Sequence, residues 1–183
     1  MEAALVVVGQ DWGDVASFVR NEGFEEPGNP TNARLAELLA LAGVPIVAPT
    51  RLSRAGTVFF TNAILCLKSG GLQATVKQEW FSECGRRFLR PTIELVAPVA
   101  VVALGTHATR AVCDAFAITC PKRFSAAVDD IDGIALPNGP TLFPRYHCGA
   151  RSTNMNRGRN EQNADWIRLG RWLAQHARAA GAR

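Results

Sequence analysis

Four short apolar runs punctuate the chain, and each one ends on glycine or polar residues. Leu5-Val6-Val7-Val8 runs into Gly9-Gln10-Asp11-Trp12-Gly13, residues 57–62 end on Asn62, residues 99–105 end on Gly105, and residues 141–147 end on His147. Brief β-branched runs of this kind read as strands of a parallel sheet buried on both faces. The polar residues behind them then mark the carboxyl ends, where open α/β sheets build their sites. Asp11, Asn62 and His147 are therefore expected to converge on one edge of one sheet.

Helical periodicity fills the intervals. Leu35, Leu38, Leu39 and Leu41 predict a helix over residues 32–42 with Gly43 as its stop. Residues 73–95 read as one long helix or two, interrupted near Pro91. Thr106 is placed to cap a helix running to Phe116, and residues 160–180 form an amphipathic pattern with Trp166, Leu169, Trp172 and Leu173 inward. The turn-rich stretch 129–140 reads as a surface loop. Strand and helix alternating in this way predict an α/β fold: a three-layer α/β/α sandwich around a central, mainly parallel sheet of about four strands. No repeat or low-complexity linker divides it.

Length and composition agree with that picture. At 183 residues and 48% hydrophobic content, residues 1–183 suffice for one well-buried α/β domain and are too few for two of ordinary size. The apolar runs are too short to cross a bilayer, and Met1-Glu2 leads into a strand without a basic segment. The expectation is a cytoplasmic chain with no membrane contact. Neither a P-loop nor GxGxxG follows any strand, which argues against the usual phosphate-cradling nucleotide enzymes.

Charge changes the picture more than composition does. The formal charge is +4, yet from Arg145 onward eight arginines face only Glu161 and Asp165, a local balance of +6 that leaves −2 for the rest. A basic final quarter that also carries His147 suggests that substrate phosphates lie beside the His147 loop. Arginine is the side chain best suited to bidentate phosphate contacts.

Gly9-Gln10-Asp11, the strand-end Asn62 and the late His147, in that order, resemble the uracil-DNA glycosylase superfamily. Its first motif reads GQDPY in one branch and carries glycine in place of tyrosine in others. The family's strand-end asparagine and late HPSP loop correspond to Asn62 and His147. The resemblance runs over almost the whole chain. It implies a monofunctional glycosylase that flips uracil out of DNA and hydrolyses its N-glycosidic bond to leave an abasic site. It also implies that the chain needs no metal and no organic cofactor. We expect it to act as a monomer on single- or double-stranded DNA.

The chemistry assigns the roles. A base inside a duplex must be extruded before it can be read or cut. The Asn62 amide offers an acceptor and donors side by side, which complements uracil N3-H and O4. Bond cleavage leaves positive charge on the sugar and negative charge on the departing base. The resemblance gives Asp11 the sugar side, orienting or deprotonating the attacking water, and gives His147 the donor at uracil O2. Gln10 matches a residue that shapes the pocket, and Phe24 matches the phenylalanine that stacks on the flipped base, a contact worth roughly 1–3 kcal/mol. His107 and His176 read as structural.

Departures from the family pattern limit these roles. Gly13 stands where the uracil-specific branch has the tyrosine that excludes thymine, and Trp12 replaces proline, so the pocket wall is recast. The late loop reads His147-Cys148-Gly149-Ala150-Arg151. Arg151 thus takes the place of an apolar wedge, which favours single-stranded or mismatched substrate. Ser152 and Arg157 join it as candidate DNA contacts, with Asn154 and Asn156 nearby. Cys66 and Cys84 resemble two of four iron-sulfur ligands in one branch, but no cysteine precedes Cys66. No cluster is expected, and the five cysteines read as free thiols. Two alternatives stay open: a module of this fold that binds uracil or damaged DNA with little cleavage, and a glycosylase for another deaminated or mispaired base.

Overall fold

The computed structural model describes residues 3–12, 15–20, 28–46, 58–68, 74–137 and 139–180. Its centre is a five-stranded sheet in the order β2-β1-β3-β5-β4. The strands are β1 (Leu5–Gly9), β2 (Val58–Asn62), β3 (Ala100–Leu104), β4 (Ile134–Ala135) and β5 (Thr141–Arg145). Strands β2, β1, β3 and β5 are parallel, as the four apolar runs predict. The fifth, β4, pairs antiparallel with β5 inside the stretch expected to be a loop. Two residues in a turn-rich setting carry no periodicity of their own; the exposed edge of β5 recruits them.

Strand alternation divides the core into two layers. Val6, Val8, Val101, Ala103 and Leu142 face one side, where they meet α3 (Gln78–Cys84), α4 (Arg90–Val96) and α5 (Gly105–Ala115) through Phe81, Ile93, Ala108 and Val112. Leu5, Val7, Ala100, Val102 and Phe143 face the other, against α2 (Pro30–Leu41) and α8 (Arg159–Ala180) through Leu38, Leu39, Trp166 and Leu169. Sheet residues buried on both faces need this three-layer arrangement. The shorter helices are α1 (Val15–Arg20), α6 (Phe124–Asp129) and α7 (Ala150–Met155).

Three helix expectations are refined. The Asn29 side chain accepts from the Thr31 and Asn32 amides at 2.9 and 3.3 Å, so α2 starts at Pro30, earlier than periodicity alone suggests. Between α3 and α4 the chain does not break at Pro91. It widens into a π turn, Gly85–Leu89, just ahead of the proline. A wider turn at that point accommodates a residue that lacks an N–H and crowds the preceding carbonyls. Thr106 is not the cap of α5. Leu104 holds that position and Gly105, at φ 88°, swings the chain straight from β3 into the helix.

Strand order fixes where a site can form. From β1 the chain crosses to β2 on one side and later to β3 on the other, so the connections diverge between β1 and β3. Such a switch point opens a crevice at the carboxyl ends of the strands.

Candidate active site

That crevice is bordered by the strand-end residues singled out in the sequence. Gly9 and Asn62 are register partners at the ends of β1 and β2. A Cβ on Gly9 would overlap the Asn62 carboxamide oxygen, so glycine is what lets the amide fold over the end of β1. The ladder continues past both strands: the Ala63 amide donates to the Gly9 carbonyl at 2.9 Å and the Ile64 amide to the Gln10 carbonyl at 3.0 Å. Gln10 therefore contributes its backbone to anchoring the loop that leaves Asn62.

The loop then returns to the first motif. Lys68 is buried, and its Nζ lies 2.6 Å from Oδ2 of Asp11, whose side chain is 15% exposed. Sequence reasoning missed this residue. A signal was present: the chain has 3 lysines against 17 arginines, so a lysine six residues after a strand-end asparagine departs from its habit.

His147 follows β5 by two residues. Its Nδ1 accepts a hydrogen bond from the Gly149 amide at 3.0 Å, which defines a neutral ring with the proton on Nε2. The ring keeps an open side to solvent, while burial of the remainder lowers its pKa below the ordinary histidine value. Space for the ring depends on Gly149, where a Cβ would press on Nδ1 at 3.0 Å. Behind the loop, the buried Cys148 thiol donates to the Thr31 carbonyl at 3.4 Å, and Gln162 Nε2 reaches the His147 carbonyl at 3.5 Å. Thr31 and Gln162, from α2 and α8, brace the loop and had no distinguishing mark in the sequence.

Since β3 separates β1 from β5, the strands that lead to Asp11 and His147 run two strand spacings apart, about 10 Å. Trp12 packs edge-on against Phe18 of α1, with ring centroids 5.4 Å apart. Gly13 and Phe24 lie outside the described residues.

The arginine-rich final quarter is used differently from the expectation of a phosphate-binding patch. Arg145 is buried in the core, donating to the carbonyls of Val128, Pro144 and Asp165, and desolvation lowers its pKa to about 10. Arg157, a candidate DNA contact, pairs with Asp165 at 2.7 Å and Asp129 at 2.8 Å. Arg168 also pairs with Asp165, and Arg159 pairs with Glu37. Arg151 and Ser152 sit on α7 just past the His147 loop, Arg151 exposed and Ser152 half-buried, with Asn154 and Asn156 exposed beside them. His107 stacks on Phe81 and His176 on Trp172.

All five cysteines are free thiols. Burial, reinforced by the neighbouring Cys120 thiol, pushes Cys113 up to about 12; desolvation and then Cys84 raise Cys66. Among the described residues no group of three or more His, Cys, Asp and Glu side chains is gathered as a metal site would require, and no helix is long and apolar enough to cross a membrane.

A search among curated proteins finds no match. The family model described as the uracil DNA glycosylase superfamily matches residues 1–170, a span that takes in all five strands, Asp11, Asn62, Lys68 and the His147 loop. The chain belongs to the uracil DNA glycosylase superfamily.

Proposed function

We propose that this glycosylase-type protein removes uracil from DNA, hydrolysing the N-glycosidic bond of a flipped nucleotide and leaving an abasic site without strand cleavage. The observation that supports the reading is the parallel sheet register, which brings the strand ends leading to Asp11, Asn62 and His147 to one edge of the sheet. In this reading the Asn62 amide takes the uracil N3-H and O4 edge, and Phe24 stacks on the ring. As the bond lengthens, the Asp11 carboxylate opposes the positive charge on the sugar and receives a proton from the attacking water. The His147 Nε2-H donates to O2 of the departing base. A neutral imidazole suits this task, because it offers a donor without giving up its proton to solvent.

Trp12 and Gly13 would form the pocket wall on the C5 side of the base. Arg151 would enter or flank the vacated stack, giving a preference for single-stranded or mismatched DNA, while Ser152 takes a nearby phosphate. Arg157 acts indirectly in this scheme, because its two carboxylate partners hold it against the protein. We propose that the chain works as a monomer.

The test is release of free base from end-labelled oligonucleotides carrying one uracil, as single strand and opposite guanine or adenine, with a thymine mispair alongside and alkali to reveal abasic sites. Release confined to uracil supports the reading; release of thymine as well would place the wider pocket at Gly13. DNA binding by folded protein without release of any base would sink the glycosylase reading in favour of a recognition module.

Gly9→Ala is expected to reduce kcat/KM for uracil by about 100-fold with the fold retained, because the added methyl displaces the Asn62 amide by the ångström or so at which positioning losses of this size arise. Steady-state kinetics alongside thermal unfolding separates that outcome from simple destabilisation.

A further inference from the structure

Lys68 is a buried charged side chain against Asp11 to which the proposed mechanism assigns no task. A lysine only 8% exposed is unusual, since an ammonium withdrawn from water requires a compensating charge. Its Nζ lies 2.6 Å from Asp11 Oδ2, so the proposed catalytic carboxylate supplies compensating charge. The route by which it arrives is short. The loop leaves β2 at Asn62, is tied to the end of β1 by the Ala63 and Ile64 amides, and six residues later delivers Lys68 back onto the residue following Gln10. One loop therefore carries the base-reading amide at its start and the partner of the carboxylate at its end.

We propose that Lys68 is a positioning residue that fixes the Asp11 carboxylate for attack on the sugar. This rests on the glycosylase reading above. An ammonium is a compact point charge that holds one carboxylate oxygen and leaves the other for water, whereas a guanidinium tends to occupy both. The contact at Oδ2 fits that division of labour: the loop holds Oδ2, and in this scheme Oδ1 is the oxygen left for the attacking water. Lys68 touches neither base nor sugar in this scheme, so its effect passes entirely through Asp11. By linking Asn62 and Asp11 through a single loop, it also sets the position of the carboxylate relative to the base that Asn62 has selected.

The experiment compares wild type, Lys68→Met, Lys68→Arg, Asp11→Asn and the Asp11→Asn, Lys68→Met double variant in single-turnover uracil release, with DNA affinity and unfolding temperature measured in parallel. Lys68→Met should lower kcat by about 100-fold, the cost of a carboxylate misplaced by about an ångström, with KM unchanged within about twofold. Lys68→Arg, which keeps the charge, should recover part of that loss. The double variant should be no slower than Asp11→Asn alone, because a residue that acts through another has no effect once that other is gone. A merely structural role would instead multiply the two losses and raise KM. Wild-type turnover in Lys68→Met, or multiplied losses in the double variant, would overturn the proposal and leave the glycosylase reading standing. Absence of base release by the wild type on every substrate would overturn both.

Discussion

Asp11→Asn should slow uracil release by about 1,000-fold, within the range that a positioned general base contributes. The substitution preserves the shape of the side chain and removes its charge. An amide can neither take the proton of the attacking water nor oppose positive charge on the sugar. Binding to uracil-containing DNA should change by no more than about twofold, since Asp11 is assigned to the transition state and not to the phosphates. Single-turnover rates with anisotropy titrations would check both halves. The unfolding temperature of the variant must be measured first, because Lys68 loses its carboxylate partner and the assay has to run on folded protein. A turnover equal to wild type would remove Asp11 from the mechanism.

Replacing His147 should cost about 100- to 1,000-fold, the loss typical of one donor to a developing anion. The pH dependence offers a sharper test than the rate alone. Gly149 N–H donates to Nδ1, so protonating the ring sets two donors against each other and opens the loop. Because burial lowers the folded-state pKa, the neutral form persists below the ordinary histidine range, and wild-type activity should fall only at more acidic pH. Stability follows the same sign. The unfolded chain binds the proton more readily, so the contribution of His147 is fully present above its unfolded-state pKa and is lost as pH falls through the lower folded-state value. In His147→Gln the residual activity should lack that step. If the variant keeps the wild-type acid limb unaltered, the limb belongs to another group.

How far this site was legible in the sequence follows from the range of the interactions involved. The strands ending at Gly9, Asn62, Leu104 and Arg145 could be read because each is a short apolar or β-branched run whose register carries its strand-end residue to the same edge. Helices α2 and α8 carried periodicity long enough to recognise. Strand β4 and the six-residue helices α1, α6 and α7 fall below the length at which a period can be seen. Thr106 suggested a cap because the type is right; the positive φ of Gly105 moved the helix start ahead of it. Lys68 and Gln162 act only through tertiary contacts, with Asp11 and with the carbonyl of His147, and local pattern says nothing of such partners. The same holds for Arg157, whose charge looked available until Asp129 and Asp165 closed on it.

The Asp165 cluster bears on how the protein meets its polyanion. Arg145 is buried, and Arg157 and Arg168 pair with the buried Asp165, so three of the eight arginines from Arg145 onward are engaged by the protein itself. Each phosphate neutralised on duplex DNA steepens the fall of log affinity with log salt by about 0.9. A titration from low to moderate ionic strength should therefore give a shallow slope, smaller by about 0.9 for every arginine so withheld. Fewer phosphate contacts also mean less ionic affinity at low salt, so such a protein would lean on its contacts to the flipped nucleotide more than on the backbone.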